Sequence, residues 1–217
     1  MLRLFAINNT AFNDDGLFKK YLALADGERR QKVNALVPRE KKNASLAAGA
    51  ILPLALKRCG ICGEISVERS RYGKPRLISP QGVFFNLSHS GEWTVAAVSD
   101  SEVGVDIQQV GTANMRLAQR FFTDAEYRQI AEAGGNAADC FYRLWTVKEA
   151  YLKALGTGLN RPLNSFAVRL KDGGAEVEDG GSGAEWFVSE YECFKGYRIA
   201  CVAKQNTSAA SPEIIEL

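Results

Sequence analysis

The sequence has little of the residue types that build metal or disulfide sites. Histidine occurs once in 217 residues, and the five cysteines include one closely spaced pair, Cys59 and Cys62. A structural zinc site needs about four ligands, and no second pair exists. An odd, scattered set is also unlike the disulfide framework of a secreted domain. We interpret the cysteines as structural or incidental, while a thioredoxin-like redox pair stays open.

Long hydrophobic runs are also absent. No apolar stretch approaches the roughly 20 residues that a bilayer span needs, and the apolar run at residues 1–7 is too short for a signal-peptide core. These absences predict a cytoplasmic protein with no membrane partner. The formal net charge of only +2 argues against a dedicated nucleic-acid binder.

The charge is unevenly distributed along the chain. Residues 1–103 contain 15 basic and 10 acidic side chains, a net charge of +5, whereas residues 104–217 contain 12 and 15, a net charge of −3. A basic half that faces an acidic half would suit a polyphosphate on one side and a cation on the other. Two solvated faces of opposite sign are the simpler interpretation, and charge alone favours it.

Hydrophobic periodicity predicts an α+β fold of two similar halves, each with a small, mostly antiparallel sheet packed by helices. The predicted helices cover residues 14–35, 39–59, 114–120 and 137–154. The segment Thr123-Asp-Ala-Glu126 is predicted to form a capping box at the start of a further helix. The predicted strands cover residues 2–7, 84–87, 93–99, 103–107, 166–170, 186–192 and 197–203. The predicted domains are residues 1–103 and 104–204, followed by a flexible tail at 205–217. Residues 70–81 and the Gly-rich residues 172–184 are predicted to form loops.

The segment around Asp106 is the first candidate site. The period of two in a strand places Gly104, Asp106 and Gln108 on one face. Gly104 leaves room for a close approach beside Asp106, and a carboxylate with a nearby amide oxygen suits a hard cation such as Mg²⁺. On this feature alone, an aspartate that caps the next turn is the simpler interpretation.

The long predicted helix carries the second candidate site. Trp145, Glu149 and Lys153 are spaced four residues apart, so they form one ridge. A Glu–Lys pair of this spacing is commonly an ordinary surface pair. Here the ridge adjoins the apolar stripe that should face the core, which favours an acid/base pair or a metal-and-phosphate pair. Lys148 lies off this ridge and is predicted to be solvated.

Two basic side chains lie in predicted turns of the first half. His89 falls in a Ser/Gly-rich turn at residues 88–91, where free amides and hydroxyls can hold a phosphate. A structural histidine is an equally good interpretation. Lys74 lies between Gly73 and Pro75 in a defined bend and offers a point charge for phosphate. A surface-loop lysine is the simpler alternative.

Taken together, these segments resemble the Sfp-type 4′-phosphopantetheinyl transferases. The combination of Gly-Val-Asp with Trp-x-x-Lys-Glu-Ala-x-x-Lys is the specific part, and the likeness covers about residues 2–203. The matching segments, in order, are residues 73–75, 85–91, 103–106, 121–126, 144–153 and 156–158. The resemblance implies a pseudo-dimer of two α/β halves with coenzyme A in the cleft between them.

The resemblance also implies an activity and the residues that perform it. The expected enzyme is a holo-carrier-protein synthase that needs Mg²⁺. It moves 4′-phosphopantetheine from coenzyme A to a serine of an acyl or peptidyl carrier protein and releases adenosine 3′,5′-bisphosphate. Asp106 and Glu149 are similar to the family's Mg²⁺ ligands, and Glu149 is also the expected base. Lys153 is similar to the lysine that neutralises the leaving group.

The same resemblance assigns contacts to coenzyme A and to the carrier. Ser88, His89 and Lys74 correspond to phosphate contacts, in a cofactor-binding set whose other members are Gly73, Pro75, Arg29 and Lys32. Arg29 and Lys32 match basic positions near the 3′-phosphate. The carrier is expected to contact residues 110–122, where Arg116 or Arg120 would steer an acidic partner. A monomer is expected.

One departure from the family pattern concerns the metal. Many members have an acidic residue two positions after the Gly-Val-Asp aspartate, and this chain has Gln108. The prediction is a site of two carboxylates with Gln108 or a water in the third place. A non-catalytic module that binds coenzyme A or a nucleotide is the alternative. An unrelated Mg²⁺ phosphotransferase is a further one, although the chain lacks the G-x-x-x-x-G-K-[ST] loop and the Rossmann glycine fingerprint.

Overall fold

The computed structural model describes residues 1–180, 185–206 and 209–217. The helices are α1 (Asp15–Leu24), α2 (Gly27–Ala35), α3 (Arg39–Arg58), α4 (Met115–Phe121), α5 (Asp124–Glu132) and α6 (Ala137–Leu155). The strands are β1 (Leu2–Asn8), β2 (Ser66–Arg69), β3 (Pro75–Ser79), β4 (Phe84–Ser90), β5 (Trp93–Ser99), β6 (Val103–Gln109), β7 (Ala167–Lys171), β8 (Gly174–Glu178), β9 (Phe187–Tyr191), β10 (Tyr197–Ala203) and β11 (Glu213–Ile214). The predicted α+β class is confirmed.

The strands form two main sheets and two hairpins. The first sheet has the order β11-β1-β5-β4, and all its pairs are antiparallel except β1 with β11. The second sheet has the order β6-β10-β9 and is antiparallel throughout. β2 pairs with β3, and β7 pairs with β8. Each main sheet thus has the small, mostly antiparallel form that the sequence predicts.

Three apolar cores hold these layers together. Helix α3 packs on the outer face of the first sheet, and helix α6 packs on the outer face of the second. The third core lies between the sheets. Its side chains come from alternate positions of β1, β5, β6 and β10, as expected for strands that present one face to each layer. They include Leu4, Val95, Val105, Ile199 and Cys201.

A polar seam joins the two sheets where β4 runs beside β6. Side-chain oxygens of Asn86 and Ser90 accept hydrogen bonds from the amides of Val105 and Gln109, both at 2.9 Å. Ser88 bridges in the same way between these positions. The bridging residues are two apart on each strand, so they share one face of β4. Because both numbers increase together, β4 runs parallel to β6. Side chains thus replace the backbone ladder between the two halves and fix the register of β6.

Several local predictions are wrong. The single helix predicted for residues 14–35 is two helices, because the Asp26 carboxylate accepts from the amide of Arg29 and starts α2. The loop predicted for residues 70–81 contains the turn and second strand of the β2–β3 hairpin. The tail predicted for 205–217 is held at its end: Glu213 and Ile214 pair with β1, and Ile215 is buried against the first sheet.

The Gly-rich segment predicted as a loop at residues 172–184 contains strand β8, and residues 181–184 lie outside the described part of the chain. Among the residues that the structure describes, all five cysteines are free thiols. Within the same ranges, no helix combines the length and the apolar character that a membrane crossing would require.

Candidate active site

The candidate site is centred on Asp106 in the middle of β6. Its carboxylate is buried, and the ammonium of Lys153 on α6 lies 2.6 Å from its Oδ1. The hydroxyl of Ser88 donates to the same oxygen at 2.7 Å, and the Gln108 amide donates to Oδ2 at 2.9 Å. Strand β4, strand β6 and helix α6 therefore converge on one carboxylate.

Helix α6 reaches this carboxylate because β6 has a glycine where the two elements touch. A Cβ added at Gly104 would lie 2.0 Å from the carbonyl oxygen of Ala150 and 2.4 Å from the amide nitrogen of Ala154. The two backbones are thus in direct contact. The approach that the sequence predicts beside Asp106 is that of helix α6, which brings Glu149 and Lys153 towards the strand.

Glu149 and Lys153 have different environments on α6. Burial raises the pKa of the Glu149 carboxyl above its usual value, the Asp106 carboxylate raises it further, and the Lys153 ammonium partly offsets the rise. Lys153 also donates to the Ser88 hydroxyl at 2.8 Å and to the carbonyl of Val105 at 3.2 Å. The site thus combines a proton-accepting carboxyl group with a positioned cation.

The turn predicted at residues 88–91 is wrong, because β4 continues through Ser90 and the turn is formed by Gly91 and Glu92. Because side chains alternate between the two faces of β4, Ser88 and His89 point to opposite sides. Ser88 is buried with its hydroxyl on Asp106, whereas His89 is exposed. The strand continues because every residue of β4 has a partner on β5, and this pairing outweighs the local turn propensity of Ser and Gly.

His89 lies between the carboxylates and the basic helix α2. Partial loss of hydration lowers the pKa of its imidazole below the usual value. The cations of Lys153, Lys32 and Arg29 lower it further, and the Asp106 carboxylate opposes them. A neutral imidazole that can donate an N–H therefore lies within the field of all three cations. These sequence-predicted residues belong to one electrostatic neighbourhood.

A cavity of about 470 Å³ opens beside α2. Its lining includes the cations Arg29, Lys32 and Arg69, the carboxylates Asp26 and Glu28, and apolar side chains such as Pro75, Phe85 and Leu87. Cations beside an apolar surface suit a nucleotide with phosphate groups. Gly73 occupies the adjacent β2–β3 turn with a φ of +84°, a conformation that favours glycine. Its predicted contact with the ligand stays a prediction.

Lys74 is not the solvated surface-loop lysine that the sequence allows, and the phosphate contact that the resemblance implies for it stays a prediction. Its ammonium donates to the carbonyl of Ala154 at 2.8 Å and to the carbonyl of Val103 at 3.1 Å. Both acceptors belong to the C-terminal half. The side chain therefore crosses from the β2–β3 hairpin to the end of α6.

The prediction that Lys148 is solvated is wrong. Lys148 is fully buried, and its ammonium lies 2.7 Å from the Glu126 carboxylate. It also donates to the carbonyls of Leu163 and Phe166 at 2.9 and 2.8 Å. The prediction of a solvated side chain assumed one buried face, but α6 is covered on several sides. The sequence identifies Glu126 through its capping box, but no local pattern indicates that Glu126 pairs with Lys148.

Glu126 serves two structural purposes at once. One carboxylate oxygen accepts from the amide of Thr123 at 2.8 Å and completes the predicted capping box. The other accepts from the amide of Val168 at 2.7 Å and pairs with Lys148. The start of α5, the middle of α6 and strand β7 are therefore tied together directly behind the site.

Comparison with known proteins identifies the family of this chain. The model of the 4′-phosphopantetheinyl transferase superfamily matches residues 102–202, which include β6 and α6. A 4′-phosphopantetheinyl transferase of Bacillus subtilis is 34% identical over 190 residues, covering 85% of this chain and 84% of that protein. The transferase Sfp of Bacillus subtilis strain 168 is 30% identical over 189 residues, with the same coverage.

Among solved structures, a holo-(acyl-carrier-protein) synthase from Bacillus anthracis in complex with coenzyme A is 24% identical. It covers 48% of this chain and 94% of its own, with a TM-score of 0.41, a likeness too low to bear on the site. The two Bacillus subtilis relatives match over most of both chains, and their identity extends through both halves. The chain therefore belongs to the Sfp-type 4′-phosphopantetheinyl transferases.

Proposed function

We propose that this protein transfers the 4′-phosphopantetheine group of coenzyme A to a serine hydroxyl of an acyl or peptidyl carrier protein, with Mg²⁺ as cofactor and adenosine 3′,5′-bisphosphate as the second product. The observation that carries the proposal is the convergence of Asp106, Glu149 and Lys153 where β6 meets α6. The names of the relatives agree with this reaction.

The donor atoms of the site fit a hard divalent cation. Asp106 and Glu149 are close enough for one carboxylate to raise the pKa of the other, so a cation placed between them would relieve their repulsion. Mg²⁺ commonly takes one or two carboxylates and completes its shell with water and substrate phosphate. In the described residues, no cluster of three or more His, Cys, Asp or Glu side chains could hold a metal. The two carboxylates, with Gln108 or a water as a third ligand, would therefore be the protein's contribution.

The reaction then needs positioning and charge neutralisation more than covalent help. The serine oxygen bonds to the β-phosphorus of coenzyme A while Glu149 takes the serine proton, directly or through one water. The raised pKa of Glu149 makes it a stronger base than an exposed carboxylate. The bond from the phosphorus to the bridging oxygen breaks, and the bisphosphate leaves with that oxygen.

Cationic and donor groups of the chain would receive the charge of the leaving group. Lys153 would exchange one of its present acceptors for a phosphate oxygen, and the neutral His89 would donate an N–H to another. Arg29 and Lys32 in the cavity beside α2 would hold the 3′-phosphate. When Mg²⁺ is bound, the chemistry it supplies is stabilisation of negative charge on the diphosphate oxygens.

Intact mass of apo carrier proteins tests the function directly. Carriers of fatty-acid, polyketide and peptide synthesis are incubated with coenzyme A, Mg²⁺ and the enzyme. We expect the mass of at least one to increase by one phosphopantetheine group, and no increase when Mg²⁺ is chelated. Tight binding of coenzyme A with no adduct on any carrier would instead favour the non-catalytic module.

The residue at position 108 should affect the Mg²⁺ concentration that the enzyme needs for half-maximal activity. Gln108→Glu adds a carboxylate two residues from Asp106, so we expect the half-saturating Mg²⁺ concentration to fall about 3- to 10-fold, because ligand charge strengthens the binding of hard cations. Titration of the transfer rate with Mg²⁺ measures this. Gln109→Glu, an exposed neighbour with the same charge change, is the matched control. An unchanged half-saturating concentration in Gln108→Glu would refute the proposal that an amide at this position weakens the binding of Mg²⁺.

The surface of α4 is the proposed docking site for the carrier. Arg116 and Arg120 are exposed and lie one turn apart, and the Arg120 guanidinium lies 5.0 Å from the Phe121 ring centroid. Carriers are generally acidic, so the double change Arg116→Glu and Arg120→Glu should raise KM for the carrier about 10-fold and leave kcat little changed. Arg128→Glu, an exposed arginine on α5, is the control. Equal KM values for the double variant and the wild type would exclude α4.

A further inference from the structure

The β2–β3 hairpin holds Lys74 in a closed turn. The amide of Ser70 donates to the Lys74 carbonyl at 2.9 Å, and the amide of Lys74 donates to the Ser70 hydroxyl at 3.1 Å. Gly73 lies between them, and its amide donates to the Ser70 carbonyl at 2.8 Å. The backbone of Lys74 is therefore fixed on both sides, and the direction of its side chain follows from the turn.

The Lys74 side chain leaves this turn and crosses to the other half of the molecule. Its stem packs across the end of α6, because a Cβ added at Gly156 would lie 3.0 Å from the Lys74 Cδ. Its ammonium then reaches the carbonyls of Ala154 and Val103. Carbonyls in the last turn of a helix have no partner within the helix, and a cation there is favourable.

The two acceptors belong to the two elements that carry the reaction centre. Ala154 follows Lys153 on α6, and Val103 is the first residue of the strand that carries Asp106. The same two elements touch backbone to backbone at Gly104. Lys74 thus spans the edge of that contact and joins it to the N-terminal half.

Burial supports a structural purpose for this cation. Loss of hydration lowers the pKa of Lys74 to about 8, with a small opposing effect from Glu102 and a small added effect from Arg76. An ammonium has three donors, and two of them are committed to these carbonyls at normal hydrogen-bond distances.

We propose that Lys74 is a positioning residue that fixes helix α6 and strand β6 relative to the N-terminal half, so that Glu149 and Lys153 meet Asp106 in register. This role rests on the proposed function and differs from the phosphate contact that the sequence suggests. A displacement of about 1 Å at a reaction centre can cost about 100-fold in rate. Lys74 should therefore act on kcat without touching the reacting atoms.

Lys74→Met tests the proposal, because it keeps an apolar stem and removes the ammonium. We expect kcat for carrier modification to fall about 10- to 100-fold, while the Kd for coenzyme A, measured by calorimetry, changes by less than about threefold. Amides of residues 103–106 and 150–156 should exchange with deuterium about 10-fold faster, because the hydrogen bonds from Lys74 that hold β6 and α6 are lost. Arg76→Met, an exposed cation on the same hairpin, should change none of these values.

Three results would overturn the proposal. A loss in coenzyme A affinity that accounts for the whole loss in kcat/KM, with kcat unchanged, would make Lys74 a phosphate contact. If kcat and the rate of amide exchange are both unchanged in Lys74→Met, Lys74 does not position α6 and β6. If Lys74→Met does not fold, Lys74→Gln is measured in its place. If neither variant shows a cooperative unfolding transition, Lys74 is required for folding and the positioning proposal fails.

The exchange and affinity measurements do not depend on turnover. If the wild-type protein modifies no carrier, the proposed function fails, but faster exchange in Lys74→Met would still show that Lys74 holds β6 and α6 in place. Normal transfer by the wild type combined with unaltered kcat and exchange in Lys74→Met would refute only the role of Lys74.

Discussion

Asp106→Asn and Glu149→Gln are each expected to lower the rate of phosphopantetheine transfer by about 1,000-fold or more. Both changes keep the shape of the side chain and remove its charge. Asp106→Asn removes the carboxylate on which Lys153 and Ser88 converge. Glu149→Gln removes the group proposed as metal ligand and base. Transfer is measured by the time course of carrier mass at saturating coenzyme A and Mg²⁺.

The fold should survive these two changes. Asparagine keeps one carbonyl oxygen that can accept from Lys153 and Ser88, while its new amide group faces the Gln108 donor, so we expect a lower unfolding temperature but a folded protein. Glu149 packs in none of the three apolar cores. Circular dichroism and thermal unfolding check this, and Glu132→Gln, an exposed glutamate on α5, is the matched control. A folded Glu149→Gln variant that retains more than about a tenth of the wild-type rate would contradict the assignment of Glu149 as the base.

Lys148→Met is expected to destabilise the protein by about 3–5 kcal/mol, the usual cost of removing one partner of a buried ion pair. The Glu126 carboxylate would stay buried without its cation, and the carbonyls of Leu163 and Phe166 would lose a donor. Glu126→Gln should cost a similar amount, since its new amide group would face the backbone donors of Thr123 or Val168. Urea unfolding followed by circular dichroism measures both values.

A double-mutant cycle separates the pair from its surroundings. Because each single change leaves an unpaired buried charge, the double variant should lose clearly less than the sum of the single losses. Lys171→Met breaks an exposed pair with Glu176 and serves as the control, with an expected loss of under about 1 kcal/mol. Strictly additive losses for Lys148 and Glu126 would show that the pair is not coupled.

The motifs of the candidate site could be identified from the sequence because each has a local geometric meaning. The period of a strand places Gly104 and Asp106 on one face, and the structure confirms that this face meets α6. The spacing of four places Glu149 and Lys153 on one ridge of a helix whose end at Gly156 is also predictable. The chain order of these motifs indicated the family, and the two Bacillus subtilis relatives confirm it.

Local patterns failed where pairing or burial depends on distant parts of the chain. Ser88 and His89 have turn-like sequence, but pairing with β5 keeps them in a strand and gives them opposite environments. Lys148 has the position of a surface lysine, but the packing of α5 and β7 encloses it. The segment at Glu213 has the polar character of a tail, but it adds a parallel strand to the first sheet.

The sequence by itself determined the fold class and predicted the charged residues of the candidate site, because periodicity and motif spacing act within a single strand or helix. The tertiary structure alone decided which oxygen of Asp106 faces Lys153, which side chain stands behind α6, and where the Lys74 ammonium ends. Those contacts join residues from 22 positions apart (Glu126 and Lys148) to 80 positions apart (Lys74 and Ala154). They follow from the approach of β6 to α6 at Gly104 and from the side-chain seam between β4 and β6, and no local pattern contains either of these.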